Sequence, residues 1–244
     1  MSFVDIHHHL LRGPDEDRPQ TRDDMAAMVH RAVSDHITTL IATPHVAPGV
    51  RYFDRDVYRA RLMEANDYAR LNSLDFRALP GAELMYTELT GDMLRKGKVP
   101  TMAGSDCVLV EFYTGVTARQ VEGAAARLAS DGFMTIIAHV ERYQALTAGY
   151  SLGMKLKNRY RTRFQVNADA FLHHQGLWLR RFLDGAVREG LIDFIASDAH
   201  GTGTRRTTMN QCFTMVEAKF GAAAAQLLFK GNAERMLAAA GETR

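Results

Sequence analysis

The chain has 244 residues, of which 46% are hydrophobic and 24% are charged. These proportions are ordinary for a soluble globular protein and leave room for one large α/β domain or two small ones. The net charge is only +2, so nothing favours nucleic acid or an anionic membrane as the main partner. We see neither an apolar run near the roughly 20 residues of a membrane helix nor a signal-peptide pattern, so we expect a cytoplasmic protein without membrane insertion.

The two cysteines exclude one class of enzyme. Cys107 and Cys212 are too few for a disulfide framework, which agrees with a reducing compartment. A cysteine-dependent phosphatase needs an arginine six positions after its thiolate, so that the loop can wrap the phosphate. Tyr113 and Ala218 stand at those positions, so we interpret both cysteines as ordinary packing residues.

Strand-like and helix-like segments alternate along the chain. The predicted strands are 3–6, 37–42, 76–79, 107–112, 133–138, 163–166 and 191–196. The first predicted helix begins near residue 21. The other predicted helices are 54–71, 117–130, 175–188, 207–220, 222–229 and 233–239. Thr21 with Asp24, and Thr117 with Gln120, match capping boxes at two of the helix starts.

This alternation predicts a parallel sheet, and the nearly continuous apolar strands predict burial on both of its faces. Seven strand–helix units suit one closed or nearly closed barrel. No linker divides the chain, so we expect one domain over residues 1–244. Candidate ligands follow the strands at their carboxyl ends, which is where barrel enzymes build their active sites.

Two pairs of candidate ligands lie on the first and last strands. His7 and His9 are two residues apart, so their side chains point to the same face of a strand and can reach one metal ion. Asp198 and His200 repeat this spacing on the seventh strand, which meets the first when a barrel closes. His8 is predicted to face away, and we exclude it. His30, His36, His173 and His174 lack this context and are interpreted as surface or packing residues.

Four further candidates each end an apolar run. Glu83 and Glu111 follow buried strands, where an isolated carboxylate is costly and must be paired or bound to metal. Each could instead form a buried salt bridge. His45 and His139 could instead be hydrogen-bonded core histidines, but their shared position at strand ends favours a ligand role.

The loop after the first strand is acidic. Asp15, Glu16 and Asp17 could supply one more ligand, although a run of charges is more often a solvated surface.

Arginines follow two of the histidines. Arg142 lies three residues after His139, and Arg205 lies five after His200. Either guanidinium could hold a phosphate through two parallel hydrogen bonds, and Arg206 could replace Arg205. The alternative is that all are ordinary surface arginines.

Taken together, these motifs resemble the PHP (polymerase and histidinol phosphatase) superfamily over nearly the whole chain. More narrowly, they are similar to bacterial metal-dependent protein-tyrosine phosphatases of capsule and exopolysaccharide synthesis. The matching motifs are Asp5-x-His7-x-His9, Ile41-Ala-Thr-Pro-His45, Leu79-Pro-Gly-Ala-Glu83-Leu, Val110-Glu111-Phe112, Ile137-Ala-His139-x-Glu141-Arg142 and Phe194-Ile-Ala-Ser-Asp198-Ala-His200.

The resemblance implies a distorted (β/α)7 TIM-like barrel of the α/β class with three divalent metal ions. Manganese is the expected ion, with iron, zinc, cobalt and magnesium as alternatives. The implied ligands of the first ion are His7, His9, Glu83 and Asp198. Those of the second are Glu83, Glu111 and His139. Those of the third are His45, His200 and an acidic residue of the first loop, which is Glu16 in the simplest alignment and otherwise Asp15 or Asp17.

The resemblance also implies hydrolysis of phosphotyrosine in a protein, for example a tyrosine kinase of polysaccharide export. Arg142 and Arg205 would bind the phosphate, and His200 or Asp198 could donate a proton to the leaving group. Two departures weaken the substrate assignment: Val140 stands where the family has proline, and residues 155–163 are unusually basic. The alternatives are a phosphatase for a small metabolite such as histidinol phosphate, a nucleotide phosphoesterase, or a non-catalytic binding module.

Overall fold

A computed structural model describes residues 1–13, 19–173 and 176–241 of the chain. Its strands are β1 (Phe3–His8), β2 (Ile37–Ala42), β3 (His45–Val46), β4 (Arg77–Pro80), β5 (Glu83–Met85), β6 (Cys107–Glu111), β7 (Met134–Ile137), β8 (Arg163–Asn167) and β9 (Phe194–Ala196). All the strand pairs are parallel, in the orders β1-β2-β4 and β3-β5-β6-β7-β8-β9.

The α-helices connect these strands. They are α1 (Arg22–Ser34), α2 (Arg55–Leu71), α3 (Thr90–Arg95), α4 (Ala118–Ser130), α5 (Gln144–Thr147), α6 (Ser151–Tyr160), α7 (Ala168–Leu172), α8 (Leu177–Arg188), α9 (Met209–Phe220), α10 (Ala222–Gln226) and α11 (Asn232–Ala239). Short 3₁₀ turns occupy Met102–Gly104 and Val140–Arg142, and a π-helical turn occupies Leu227–Gly231. Within the described ranges, no helix is both long and apolar enough to cross a bilayer.

Two interruptions divide the sheet into its two parts. Thr43 and Pro44 separate β2 from β3, while Gly81 and Ala82 separate β4 from β5. Backbone hydrogen bonds cross both gaps, from Thr43 N to His8 O at 2.9 Å and from Glu83 N to Pro44 O at 3.1 Å. The two parts therefore form one curled sheet.

The first and last strands meet at the other side of the curl. His9 N donates to Ala199 O at 2.9 Å, and Asp198 N donates to His7 O at 2.8 Å. The predicted proximity of the two ligand pairs is therefore confirmed. It follows from the backbone, since the end of β1 and the next residue, His9, pair directly with the segment after β9.

Apolar side chains form two buried clusters on the sheet. The larger one packs the strands against the surrounding helices, as with Val29 and Ala32 of α1 or Val121 and Leu128 of α4. The smaller one joins strand residues such as Ile41, Leu109 and Ile136 to α11. The strands are buried on both faces, as their apolar sequences predicted.

The predicted strands and long helices are confirmed to within a few residues, and both capping boxes are present. Two details were wrong, and one helix was not predicted. Leu191–Asp193 lie outside β9, whose register with β8 begins at Phe194, although Asp193 N already donates to Phe164 O at 2.9 Å. The predicted helix 222–229 changes to the π-helical turn at Leu227. The basic segment 155–163, which suggested no element, contains much of α6. The predicted start of α8 at residue 175 lies outside the described residues.

Asp35 connects the end of α1 to the start of α9, and its removal should destabilise the fold. Its Oδ2 accepts hydrogen bonds from Thr207 Oγ1 at 2.5 Å and Met209 N at 2.7 Å. We expect Asp35→Ala to lower the free energy of unfolding by about 2 kcal/mol, because buried donors lose their acceptor. Urea denaturation measures this loss. The surface variant Asp67→Ala should cost less than about 1 kcal/mol, and equal losses would contradict this role for Asp35.

Candidate metal centre

Seven of the predicted ligands converge at the carboxyl edge of the sheet. Nitrogen and carboxylate oxygen atoms within 4.8 Å of one another define three overlapping groups. The groups are His7, His9, Glu83 and Asp198; His45, Glu83 and Glu111; and His9, His45 and His200. His139 joins them through Nε2, which lies 2.7 Å from Glu83 Oε1. All eight of these described candidates therefore share one site.

Glu83 lies at the centre of this cluster and is completely buried. Its Oε2 is 3.2 Å from His7 Nε2, 3.3 Å from His9 Nε2 and 2.9 Å from His45 Nδ1. The other oxygen faces His139. One carboxylate thus contacts imidazoles from several strands, which is what a shared metal ligand requires.

Two of the ligands, His45 and Glu83, do not end their strands as expected. His45 opens β3 and Glu83 opens β5, each after a two-residue interruption. At each interruption the chain passes from the β1-β2-β4 part of the sheet to the other part. The first residue after the interruption, His45 or Glu83, lies in the ligand cluster.

Asp198 forms the opposite wall of the cluster. Its Oδ1 lies 3.5 Å from His7 Nε2 and 3.4 Å from His9 Nε2. Arg142 Nη2 donates to Oδ2 at 2.7 Å, and Arg205 Nη2 lies 3.4 Å away. Both guanidiniums are about two-fifths exposed, at 42% and 45%, so they border the opening of the site.

His139 and Asp198 have unusual backbone conformations. Their φ angles are 34° and 51°, in the left-handed region that non-glycine residues rarely adopt. Such strain costs roughly 1–3 kcal/mol at each residue and is found mostly where function requires a fixed side chain. Both residues lie in the cluster, which supports a functional role for it.

Electrostatics in the cluster favour bound cations. Burial alone would raise the pKa of Glu83 and Asp198, but the surrounding imidazoles, His7 first, hold both values well below their usual range. Burial alone would lower the pKa of His7, yet Glu83 and Asp198 raise it to about 9. Burial opposes a raised pKa for His45 too, and Glu111 and Glu83 outweigh it to give about 10.

Two other histidines are kept neutral. Burial, assisted by the charge of His9, lowers the pKa of His200 to about 3. Burial also lowers the pKa of His8 to about 3, and His8 belongs to none of the ligand groups, in agreement with its exclusion. The His9 and His200 rings stack with their centroids 3.7 Å apart. Two positively charged rings at this distance would repel each other, so the stacking agrees with a neutral His200.

The donor set fits divalent cations. Among the described residues, no hydrogen bond of acceptable geometry satisfies Glu83 Oε2, although this atom is buried. Buried polar atoms normally have partners. Imidazoles and carboxylates together suit transition metals such as manganese, iron or zinc.

The sequence predictions missed three polar residues behind the ligands. The Tyr143 hydroxyl lies 3.2 Å from His139 Nδ1, while Gln165 contacts His7 and Asn167 contacts Asp198. Gln165 and Asn167 are two apart on a buried strand, and buried amides are normally hydrogen-bonded. That spacing was the available signal.

The remaining predictions have different outcomes. Asp15, Glu16 and Asp17 lie outside the described residues. Arg206 is exposed and contacts the Gly203 carbonyl oxygen at 3.5 Å, whereas Arg205 contacts Asp198. Of the two adjacent arginines, Arg205 is therefore the one at the cluster.

Comparisons with known proteins agree over nearly the whole chain. The family model for capsular polysaccharide synthesis proteins CpsB/CapC matches residues 3–238. Tyrosine-protein phosphatase YwqE of Bacillus subtilis is 29% identical over 236 residues, covering 96% of this chain and 91% of YwqE. Tyrosine-protein phosphatase CpsB of Streptococcus pneumoniae is 24% identical over 239 residues, covering 96% and 98%.

A solved structure is similar as well. It comes from crystal structures of YwqE and CpsB, described as metal-dependent tyrosine phosphatases. It is 28% identical, has a TM-score of 0.87 and covers 97% of this chain and 94% of that chain.

Metal binding should depend on pH. The neighbouring carboxylates raise the pKa of His7 to about 9 and that of His45 to about 10, so both rings are protonated at neutral pH unless a cation takes the place of the proton. Each must lose its proton before its nitrogen binds a cation. We therefore expect Mn²⁺ affinity to rise with pH and binding to release protons. Calorimetry in buffers of different ionisation enthalpy measures both, and His30→Ala is the surface control. Binding that is independent of pH would contradict the ligand set.

Replacement of Glu83 should remove bound metal. Glu83→Gln keeps the size of the side chain but removes the charge that two of the ligand groups share. We expect elemental analysis to find about one ion fewer per chain, or a greater loss. Glu122→Gln, at an exposed pair with Lys155, should not change the metal content. Unchanged metal content in Glu83→Gln would show that Glu83 binds no ion.

Proposed function

This chain belongs to the CpsB/CapC family of capsular polysaccharide synthesis proteins, and we propose that it is a metal-dependent tyrosine-protein phosphatase. The observation that carries the proposal is the placement of two arginines beside the ligand cluster. Arg142 donates to Asp198 Oδ2 and Arg205 lies 3.4 Å from both oxygens, while Oδ1 also faces His7 and His9. Anion-binding and cation-binding groups thus meet at one opening, as phosphomonoester hydrolysis requires.

For the metal ions we propose three sites, with manganese as the expected ion. The first uses His7, His9, Glu83 and Asp198. The second uses Glu83, Glu111 and His139. The third uses His45, His200 and an acidic residue of the first loop, Glu16 in the simplest alignment. Divalent ions held by these ligands would act as Lewis acids toward the phosphoryl group and would lower the pKa of water, so that hydroxide is available at neutral pH.

The protein's own groups bind and orient the substrate. Arg142 and Arg205 can donate paired hydrogen bonds to phosphate oxygens, stabilising the negative charge that grows on the transferred group. The phenolate of tyrosine leaves readily, so little help from a general acid is needed. Asp198 and His200, which the resemblance offers as proton donors, both have lowered pKa values here, so we assign them to metal binding and no proton donor is required.

We also propose that the curled sheet is a closed barrel. If β2 with β3, and β4 with β5, each count as one interrupted strand, the sheet has the seven strands of a distorted (β/α)7 barrel in a single domain. The contacts between the segments after β1 and β9 support closure. We further propose a cytoplasmic location, in which Cys107 and Cys212 remain reduced.

The substrate we propose is phosphotyrosine in a protein, for example a tyrosine kinase of polysaccharide export. YwqE and CpsB are tyrosine-protein phosphatases, which supports this choice over small metabolites. The discriminating test compares stripped and manganese-loaded protein on a phosphotyrosyl peptide and on histidinol phosphate. We expect metal-dependent turnover of the peptide at a higher kcat/KM. Preference for histidinol phosphate would assign the small-metabolite alternative, and no metal-dependent turnover of either would favour a binding module.

Activity should depend on the planar guanidinium groups of the two arginines. We expect Arg142→Lys and Arg205→Lys each to lower kcat/KM for the peptide by about 10- to 100-fold, because lysine cannot form two parallel hydrogen bonds to one phosphate. Steady-state kinetics with manganese measure the loss. Arg206→Lys is the matched control and should remain near the wild-type value. An equal loss in Arg206→Lys would place the phosphate differently.

A further inference from the structure

Strand β8 reaches the metal centre but supplies none of the proposed ligands among the described residues. Its last residues carry two amides, Gln165 and Asn167, which point toward the cluster from alternate positions. Gln165 is completely buried and Asn167 is 7% exposed. Amides at such positions need partners, and theirs are ligand residues.

The orientation of the Gln165 amide is fixed by the backbone. His139 N is a donor only, and it lies 2.8 Å from Gln165 Oε1. That atom must therefore be the carbonyl oxygen, which accepts hydrogen bonds. His7 Nδ1 lies 3.2 Å from the same oxygen, so this nitrogen must carry a proton and donate it.

This hydrogen bond determines the form of the His7 ring. A neutral imidazole with its proton on Nδ1 has its lone pair on Nε2. Nε2 is the atom that lies 3.2 Å from Glu83 and 3.5 Å from Asp198. Gln165 therefore selects the tautomer in which His7 can bind a cation at the centre of the cluster.

The Asn167 amide extends this series of hydrogen bonds to Asp198. Gln165 Nε2 donates to Asn167 Oδ1 at 2.8 Å, and Asn167 Nδ2 donates to Asp198 Oδ2 at 2.8 Å. With Arg142 also bound to Oδ2, the carboxylate is held with Oδ1 toward His7 and His9. The donor and acceptor roles along the chain are mutually consistent, because each follows from the one before.

We propose that Gln165 and Asn167 are positioning residues, which set the tautomer of His7 and the orientation of Asp198 through one directional hydrogen-bond chain. Neither belongs to the proposed metal ligands or to the proposed phosphate-binding residues. The inference rests on the proposed function in one respect, namely that His7 and Asp198 bind a metal ion. It adds the requirement that β8 controls the affinity of that site.

Three variants separate a positioning role from a merely structural one. Gln165→Leu removes the acceptor for His7. Gln165→Glu retains an acceptor for both His7 and the His139 amide. Asn167→Asp replaces the donor to Asp198 by a like charge. The control is Asn66→Asp, because Asn66 also bridges elements, by hydrogen bonds of 2.8 and 2.9 Å to the backbone of Ala78, remote from the ligands.

Metal affinity is measured by titrating stripped protein with Zn²⁺ against a chromogenic chelator, and folding is measured by thermal melting without metal. We expect Gln165→Leu and Asn167→Asp to weaken the tightest site by about 10- to 100-fold, as for other residues that orient metal ligands. Gln165→Glu should bind more tightly than Gln165→Leu. Asn66→Asp should keep wild-type affinity even if its melting temperature falls.

Nitrogen-15 NMR of zinc-loaded protein tests the tautomer directly. We expect a proton on His7 Nδ1 in the wild type and in Gln165→Glu. Affinity in Gln165→Leu and Asn167→Asp equal to the wild type, or zinc bound to His7 through Nδ1, would overturn the inference while leaving the phosphatase proposal standing. A wild-type chain that binds no zinc and shows no metal-dependent hydrolysis would instead overturn the proposed function, and the inference with it.

Discussion

Burial of negative charge at the carboxyl edge of the sheet is the constraint on which the rest of the site depends. Glu83 and Asp198 are almost completely inaccessible, and carboxylates in such surroundings must be balanced by cations. Protons on His7 and His45, whose pKa values are raised to about 9 and 10, can provide the balance. The same nitrogens can exchange those protons for metal ions. The cluster is therefore able to hold cations, and we propose that metal ions replace the protons.

The fold brings these groups together through its backbone. Parallel strands deliver their carboxyl ends to one edge. The end of β1 pairs directly with the segment after β9, which places His7 beside Asp198. Two short breaks, after β2 and after β4, turn His45 and Glu83 inward. The left-handed backbone at His139 and Asp198 costs stability locally, and the fixed position of two ligands is what that cost provides.

Much of this was predictable from sequence, and what was missed has identifiable physical causes. The i, i+2 spacing of His7 with His9 and of Asp198 with His200 defined ligand pairs, because strand side chains alternate between faces. The breaks after β2 and β4 escaped prediction because β3 and β5 are too short to show a period. The α6 helix was missed because its lysines and arginines hide a weak apolar face. The role of Gln165 and Asn167 was missed because they lie at a weakly predicted strand. Their amides are uncharged, so nothing in the sequence distinguished them from ordinary polar residues.

The most direct measurement is anomalous diffraction from crystals loaded with Mn²⁺. The account predicts anomalous peaks in contact with His7 Nε2, His9 Nε2, Glu83 and Asp198, with further peaks beside Glu111 and His45. Fully loaded crystals with no anomalous scatterer in contact with these atoms would contradict it, because the buried carboxylates would then be balanced by protons alone.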